Sequence, residues 1–187
     1  INAQVGFFDV ESVWPKLEQA LRQAISNLVA MRETEGSNIY GDFIKRADLI
    51  AEKLAVIEER SPQVVEEYQT RLSDRINELL AKHNQVIEPE RLLQEVAIFA
   101  DRTSITEEIV RLKSHIKQFR LIIDADQPVG RKLDFLIQEF NREANTIASK
   151  ANDYTLAQVV VEIKAEIEKI REPVSYTHLR AHETCAD

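Results

Sequence analysis

The sequence predicts an all-α protein: long antiparallel helices leading into a C-terminal helical bundle. Three observations carry that expectation. Apolar residues recur at spacings of three and four along most of the 187 residues. No segment combines strict polar–apolar alternation with hairpin turn chemistry. Only four Gly and five Pro punctuate the chain, so turns are few.

The elements follow in order. Residues 1–14, opening with INAQVGFFDV and no initiator Met, are expected to be a linker or truncated element continuing from something longer. Residues 15–85 are expected to form a helical arm. It carries Leu17, Leu21, Ile25 and Leu28, with Ala20 and Ala24 on the same face. Gly36 either stops that helix or marks a weak point in a longer one, since Ile39, Phe43, Ala47, Ile50, Leu54 and Ile57 continue the period. Ser61-Pro62 predicts a restart, with Ser as N-cap and Pro in the first turn. Val65, Tyr68, Leu72, Ile76 and Leu79 form the stripe after it, and Lys82–Gln85 the end.

Residues 86–172 are expected to be a separate C-terminal helical domain. One helix starts near Pro89 and carries Leu92, Val96 and Phe99. Ser104-Ile-Thr-Glu107 has the form of a capping box ahead of Ile105, Ile109, Leu112, Ile116 and Phe119. Asp124–Gly130 is the clearest loop. Leu133, Leu136, Phe140, Ala144 and Ile147 stripe the next helix, and Leu156, Val160, Ile163, Ile167 and Ile170 the last. Short connections among these three favour antiparallel packing. Pro173 is expected to end the last helix. Residues 173–187, with "VSYTHLRAHET", resemble translated sequencing-adapter sequence and are expected to be an artefactual tail. His178, His182 and Cys185 are therefore set aside.

Composition narrows the function. No apolar run approaches the ~18 residues of a membrane span. A single cysteine excludes an intrachain disulfide and a Cys-based zinc site. With no secretory signal visible, a cytoplasmic setting is expected. A net charge of −8 argues against a surface coated for nucleic acid. Yet Ser104–Lys150 holds eight Lys/Arg against seven Asp/Glu, so it is +1 while the remainder is −9. That asymmetry permits a local polyanion site.

The segment "GRKLDFLIQEFNREANTIASK" (130–150) is unusual for a solvated helix. Glu139, Arg142, Glu143 and Lys150 share one flank of its apolar stripe, and Asp134, Gln138, Asn141 and Asn145 share another. Asn and Gln in mid-helix lower helix propensity without return on a plain surface. The preceding helix adds Glu108, Arg111 and His115 on one face. Together these residues suit phosphodiester cleavage. Carboxylates hold a hard divalent cation, Arg and Lys bind phosphate, and His transfers protons. The bland alternative is a solvated helix with i,i+4 ion pairs. The chain holds no glycine-rich phosphate loop or nucleophile elbow, and no run of sequence in which aromatic and basic residues alternate as in a single-strand binder.

Three stretches, "EEIVRLKSHIKQF", "PVGRKLDFLIQEFNREANTIASKAND" and "VVEIKAEIEKIRE", resemble the C-terminal domain of the YicC/YloC family of endoribonucleases. "RETEG" (32–36) resembles the middle region of that family. The resemblance covers roughly Trp14 to Glu172 and lacks the family's N-terminal domain. It implies a metal-dependent bacterial endoribonuclease working on RNA as a ring-like homo-hexamer. The matching motif positions are Glu107, Glu108, Arg111, His115, Gly130, Arg131, Asp134, Gln138, Glu139, Asn141, Arg142, Glu143, Asn145, Ser149 and Lys150.

Within that set we expect Glu139 and Glu143, with Asp134 or Glu108, beside Mg²⁺ or Mn²⁺. His115 is expected to transfer protons. Arg111, Arg131, Arg142 and Lys150, with Asn141 and Asn145, are expected to bind RNA. Without the N-terminal domain this chain is expected to be a weak nuclease. The competing expectation is a non-catalytic helical module that binds RNA or knits subunits together.

Overall fold

The computed structural model describes the backbone of residues 10–81, 89–125 and 127–183, and the side chains of 13–81, 90–125 and 127–175. The described residues form five helices and no strand: α1 (Val10–Ala81), α2 (Pro89–Thr103), α3 (Thr106–Ile123), α4 (Gly130–Lys150) and α5 (Tyr154–Glu183). None is long and apolar enough to cross a membrane. The chain divides into two compact units at Asp42/Phe43.

In the first unit α1 buries none of its described side chains; Trp14, Leu17, Leu21, Ile25, Leu28 and Met31 are about half exposed. Local contacts support the helix instead. Arg22 donates to Glu18 at 2.8 Å, Gln23 to Asn27 at 2.9 Å, and the Thr34 hydroxyl to the Ala30 carbonyl at 2.9 Å. Gly36 does not stop the helix, and α1 runs unbroken through it.

The second unit is a bundle of α3, α4, α5 and the part of α1 from Phe43 onward. Phe43, Ala47, Ile50, Leu54, Ile57 and Val64 are buried, at the three-, four- and seven-residue spacings of one helix face. Phe119 tilts against Phe43 at 5.6 Å and against Phe140 at 5.8 Å. Ion pairs on the rim report the directions. Asp48 meets Arg120 and Glu58 meets Lys113, both at 2.6 Å, so α1 and α3 are antiparallel. Arg46 meets Glu166 and Arg60 meets Asp153, both at 2.8 Å, and Lys53 meets Glu162, so α1 and α5 are antiparallel too. The exposed pairs among them, Asp48–Arg120 and Glu58–Lys113, add little stability. The buried stripes hold the bundle: Leu112, Phe119, Phe140, Ile147, Ile163, Ile167 and Ile170 are all at 0% exposure. Helix α2 joins through Phe99, which stacks on Tyr68 of α1 at 3.7 Å.

Three expectations about helix ends are corrected. Ser61-Pro62 does not restart a helix; α1 continues through it. Val64 lies seven residues after Ile57 on the same buried face, so burial carries the helix past the missing proline donor. Ser104 does not cap α3. Ile105 occupies the N-cap without a side-chain hydrogen bond and is 1% exposed, so chain entry is set by an apolar anchor. Pro173 does not end α5, which runs to Glu183. Val174 stays buried in phase with Ile163, Ile167 and Ile170. The Asp153 carboxylate accepts the Leu156 N–H at 2.9 Å, an N-cap for α5. The expected polar end at Lys82–Gln85 lies outside the described residues, as do the side chains of His178, His182 and Cys185.

A candidate reaction centre between α3 and α4

Helices α3 and α4 are joined by the Asp124–Val129 connection and pack antiparallel, which fixes which residues face one another. Glu108 meets Lys150, Arg111 meets Glu143, and His115 lies beside Phe140. The polar cluster therefore sits at the middle and far end of this hairpin, several turns from the Pro128-Gly130 connection.

At its centre a ring nitrogen of His115 and carboxylate oxygens of Glu139 and Glu143 all lie within 4.8 Å of one another. Glu139 and Glu143 reach the same place because an i,i+4 pair shares a helix face. Glu143 is 3% exposed, and its nearest cation is Arg111 at 3.8 Å. Arg111 also holds Glu107 at 2.6 Å. The imidazole of His115 is half-buried and rests 6.5 Å from the Phe140 ring centroid. Its Nδ1 is buried with no hydrogen-bond partner among the described residues. A buried nitrogen lone pair or N–H left unpaired is costly, and a cation or a substrate atom would relieve it. Two carboxylates and an imidazole, one carboxylate deeply buried, are a donor set that fits a divalent metal ion.

A second pair braces the far end of the hairpin. The Lys150 ammonium donates to the Glu108 carboxylate at 2.9 Å and to the Ser104 carbonyl at 3.1 Å. Burial at 4% exposure opposes ionisation of Glu108. The Lys150 hydrogen bond, the residue's own backbone N–H and the charges of Lys150 and Arg111 outweigh it, holding the carboxyl below its ordinary value. Glu108 and Lys150 thus spend their charges on each other.

The remaining expected residues are spread along α4. Arg142 is exposed and lies 3.7 Å from Glu139. Asp134 is engaged by Gln138 at 3.0 Å and is not part of the His115 cluster. Arg131 is exposed in the first turn of α4, eight residues and about 12 Å of helix rise before Glu139. Asn141 is half-buried and Asn145 exposed. The structure thus brings His115, Glu139, Glu143 and Arg111 together, sets Arg142 at their edge, and does not bring Asp134 or Arg131 into the cluster. His115, the residue expected to transfer protons, has its ring beside both carboxylates. The grouping follows from the antiparallel register, in which residue 115 faces the 139–143 turn, and the sequence pattern alone does not set that register.

Residues 57–176 match the family model described as "Endoribonuclease YicC-like, C-terminal". A protein of Clostridioides difficile named "Probable endoribonuclease YicC" is 49% identical over 166 residues, covering 89% of this chain and 56% of that protein. One of the same name from Haemophilus influenzae is 34% identical over 166 residues, again 89% of this chain and 56% of the relative. The chain thus spans little more than half the length of these relatives.

Proposed function

The chain belongs to the YicC-like endoribonuclease family by its C-terminal domain, and from that membership we propose that the α3–α4 cluster is a centre for cleaving RNA phosphodiesters. The observation that carries the reading is the convergence of His115, Glu139 and Glu143 within 4.8 Å. These three residues would hold a divalent cation, and an imidazole beside two carboxylates suits Mn²⁺ at least as well as Mg²⁺. When bound, the metal supplies Lewis-acid stabilisation of phosphoryl charge and a more acidic water.

The chain's own residues do the rest. Arg111, 3.8 Å from Glu143, offsets part of the negative charge that two adjacent carboxylates bring to one place. Arg142, exposed at the rim, binds a phosphate oxygen; Arg131, further along α4, binds a second phosphate of the same strand. Glu108 and Lys150 clamp the ends of α3 and α4 together and so keep the register that assembles the centre. They are positioning residues. In this reading the working form is a homo-oligomer of the longer protein, a hexamer, acting on RNA in the cytoplasm.

Metal binding and cleavage are separable readouts. Titration of this chain with Mn²⁺, followed by electron paramagnetic resonance, is expected to show a site that Glu139→Gln or Glu143→Gln weakens at least about tenfold. Cleavage of a labelled RNA is expected to stop with chelator and to fall about 100-fold in His115→Ala. Cleavage that persists in chelator and yet disappears in His115→Ala would return His115 to a metal-free proton-transfer role. Mn²⁺ binding unchanged in all three variants would sink the assignment of the cluster. RNA binding without cleavage in any assembled form would leave a non-catalytic RNA-binding module.

A further inference from the structure

Phe135 is 61% exposed, whereas Phe43, Phe119 and Phe140 are buried and Phe99 is half-buried against Tyr68. A lone exposed apolar side chain is ordinary, so the weight rests on its company. At about 100° per residue, Phe135 lies within about 40° of Arg131 and Glu139 around the α4 axis and within about 20° of Arg142. Arg131 makes no ion pair among the described residues, and Arg142 reaches only Glu139, at 3.7 Å. One strip of α4 therefore runs Arg131, Phe135, Glu139, Arg142: a cation, a flat ring, a carboxylate of the candidate centre, and a second cation. The ring stands one helical turn, about 6 Å of rise, from Glu139.

We propose that Phe135 is a base-stacking platform: a nucleobase adjoining the cleaved linkage lies on its ring while Arg131 and Arg142 hold phosphates to either side. This rests on the reading of the α3–α4 cluster as an RNA centre. The chemistry follows from the strip. Two cations bracketing an aromatic face match a chain that alternates anions with π-surfaces. Every base has such a face, so the platform is tolerant of sequence. It requires a base that is not paired, so the substrate class is single-stranded RNA or the unpaired loops and bulges of a folded RNA. An apolar contact to another subunit would need no flanking arginines, and the strip favours RNA on that ground.

The test uses this chain in chelator, so that binding is read without cleavage. The probes are a labelled single-stranded RNA and an abasic ribose–phosphate oligomer of the same length. Phe135→Ala and Phe135→Leu are surface changes whose folding is checked by circular dichroism. Both are expected to bind the base-bearing RNA about tenfold more weakly and the abasic oligomer as the parent does. Phe135→Trp is expected to retain affinity, with its fluorescence quenched by the base-bearing RNA alone. Leu binding like Phe would overturn the platform, because it keeps apolar area without a π-face. Equal losses on both probes would overturn it as well, as would loss of an oligomer with RNA affinity intact. Equal RNA binding by all variants leaves the proposed cleavage standing. Conversely, the expected Phe135 pattern in a protein that never cleaves RNA retains the platform and removes the nuclease.

Discussion

Glu108 and Lys150 show how a functional-looking pair turns structural. Glu108 is nearly sealed from water, and its partner ammonium is 38% exposed, so the charge on the inner residue depends on the outer one. Removing the cation leaves a buried carboxylate with one oxygen already lacking a partner. Lys150→Ala is accordingly expected to lower unfolding free energy by about 1–3 kcal/mol, the upper end discounted for the exposure of Lys150. Glu108→Gln keeps the shape and loses the charge, and is expected to cost less. Urea denaturation of the two variants checks the order; a neutral Lys150→Ala would show that the pair does not brace the hairpin. Arg111 differs, since it faces a buried carboxylate while staying half in water, and so remains available to a substrate.

At the scale of elements, the helices resolve a competition between local signals and phased burial. Pro62 removes the donor that would bond the Glu58 carbonyl, yet α1 persists because Ile57 and Val64 stay on one buried face across it. Pro62→Ala is therefore expected to stabilise the protein by about 1–2 kcal/mol, as a recovered hydrogen bond and a relieved clash outweigh the lost chain stiffness. A lower melting temperature in that variant would mean that a break at Pro62 is built into the fold. The stripes of α3, α4 and α5 were legible from spacing, because a buried face leaves a 3.6-residue period in the sequence. Ser61, Ser104 and Pro173 misled because each is a strong local stop or start signal, and burial of Val64, Ile105 and Val174 overrode them. For the site, the residue types were legible and their grouping was not. Which turn of α4 faces His115 depends on how the Asp124–Val129 connection sets the register, and no side-chain pattern encodes that offset.

Across the second unit, four carboxylates share a direction of titration. Asp153 is held below its ordinary 3.8 chiefly by the hydrogen bond from Arg60. Glu67 is lowered chiefly by the same guanidinium, and Glu166 chiefly by the hydrogen bond from Lys169, with burial opposing and Arg46 assisting. Glu108 is lowered against its burial by Lys150. In each case folding favours the ionised form, so the stabilisation is complete above the unfolded values near 4 and is lost as pH falls through the lower folded ones. The urea midpoint is expected to hold from pH 8 to pH 6 as far as these groups are concerned, and to fall between pH 5 and pH 3. An unchanged midpoint over that lower interval would contradict the four assignments together. The row of rings Phe43, Phe119, Phe140 and His115 ties the candidate centre to the middle of the same unit. The imidazole is the last member of that row, so melting of the interior carries the candidate centre with it. On heating, loss of tertiary structure is expected to abolish the proposed Mn²⁺ site in the same transition.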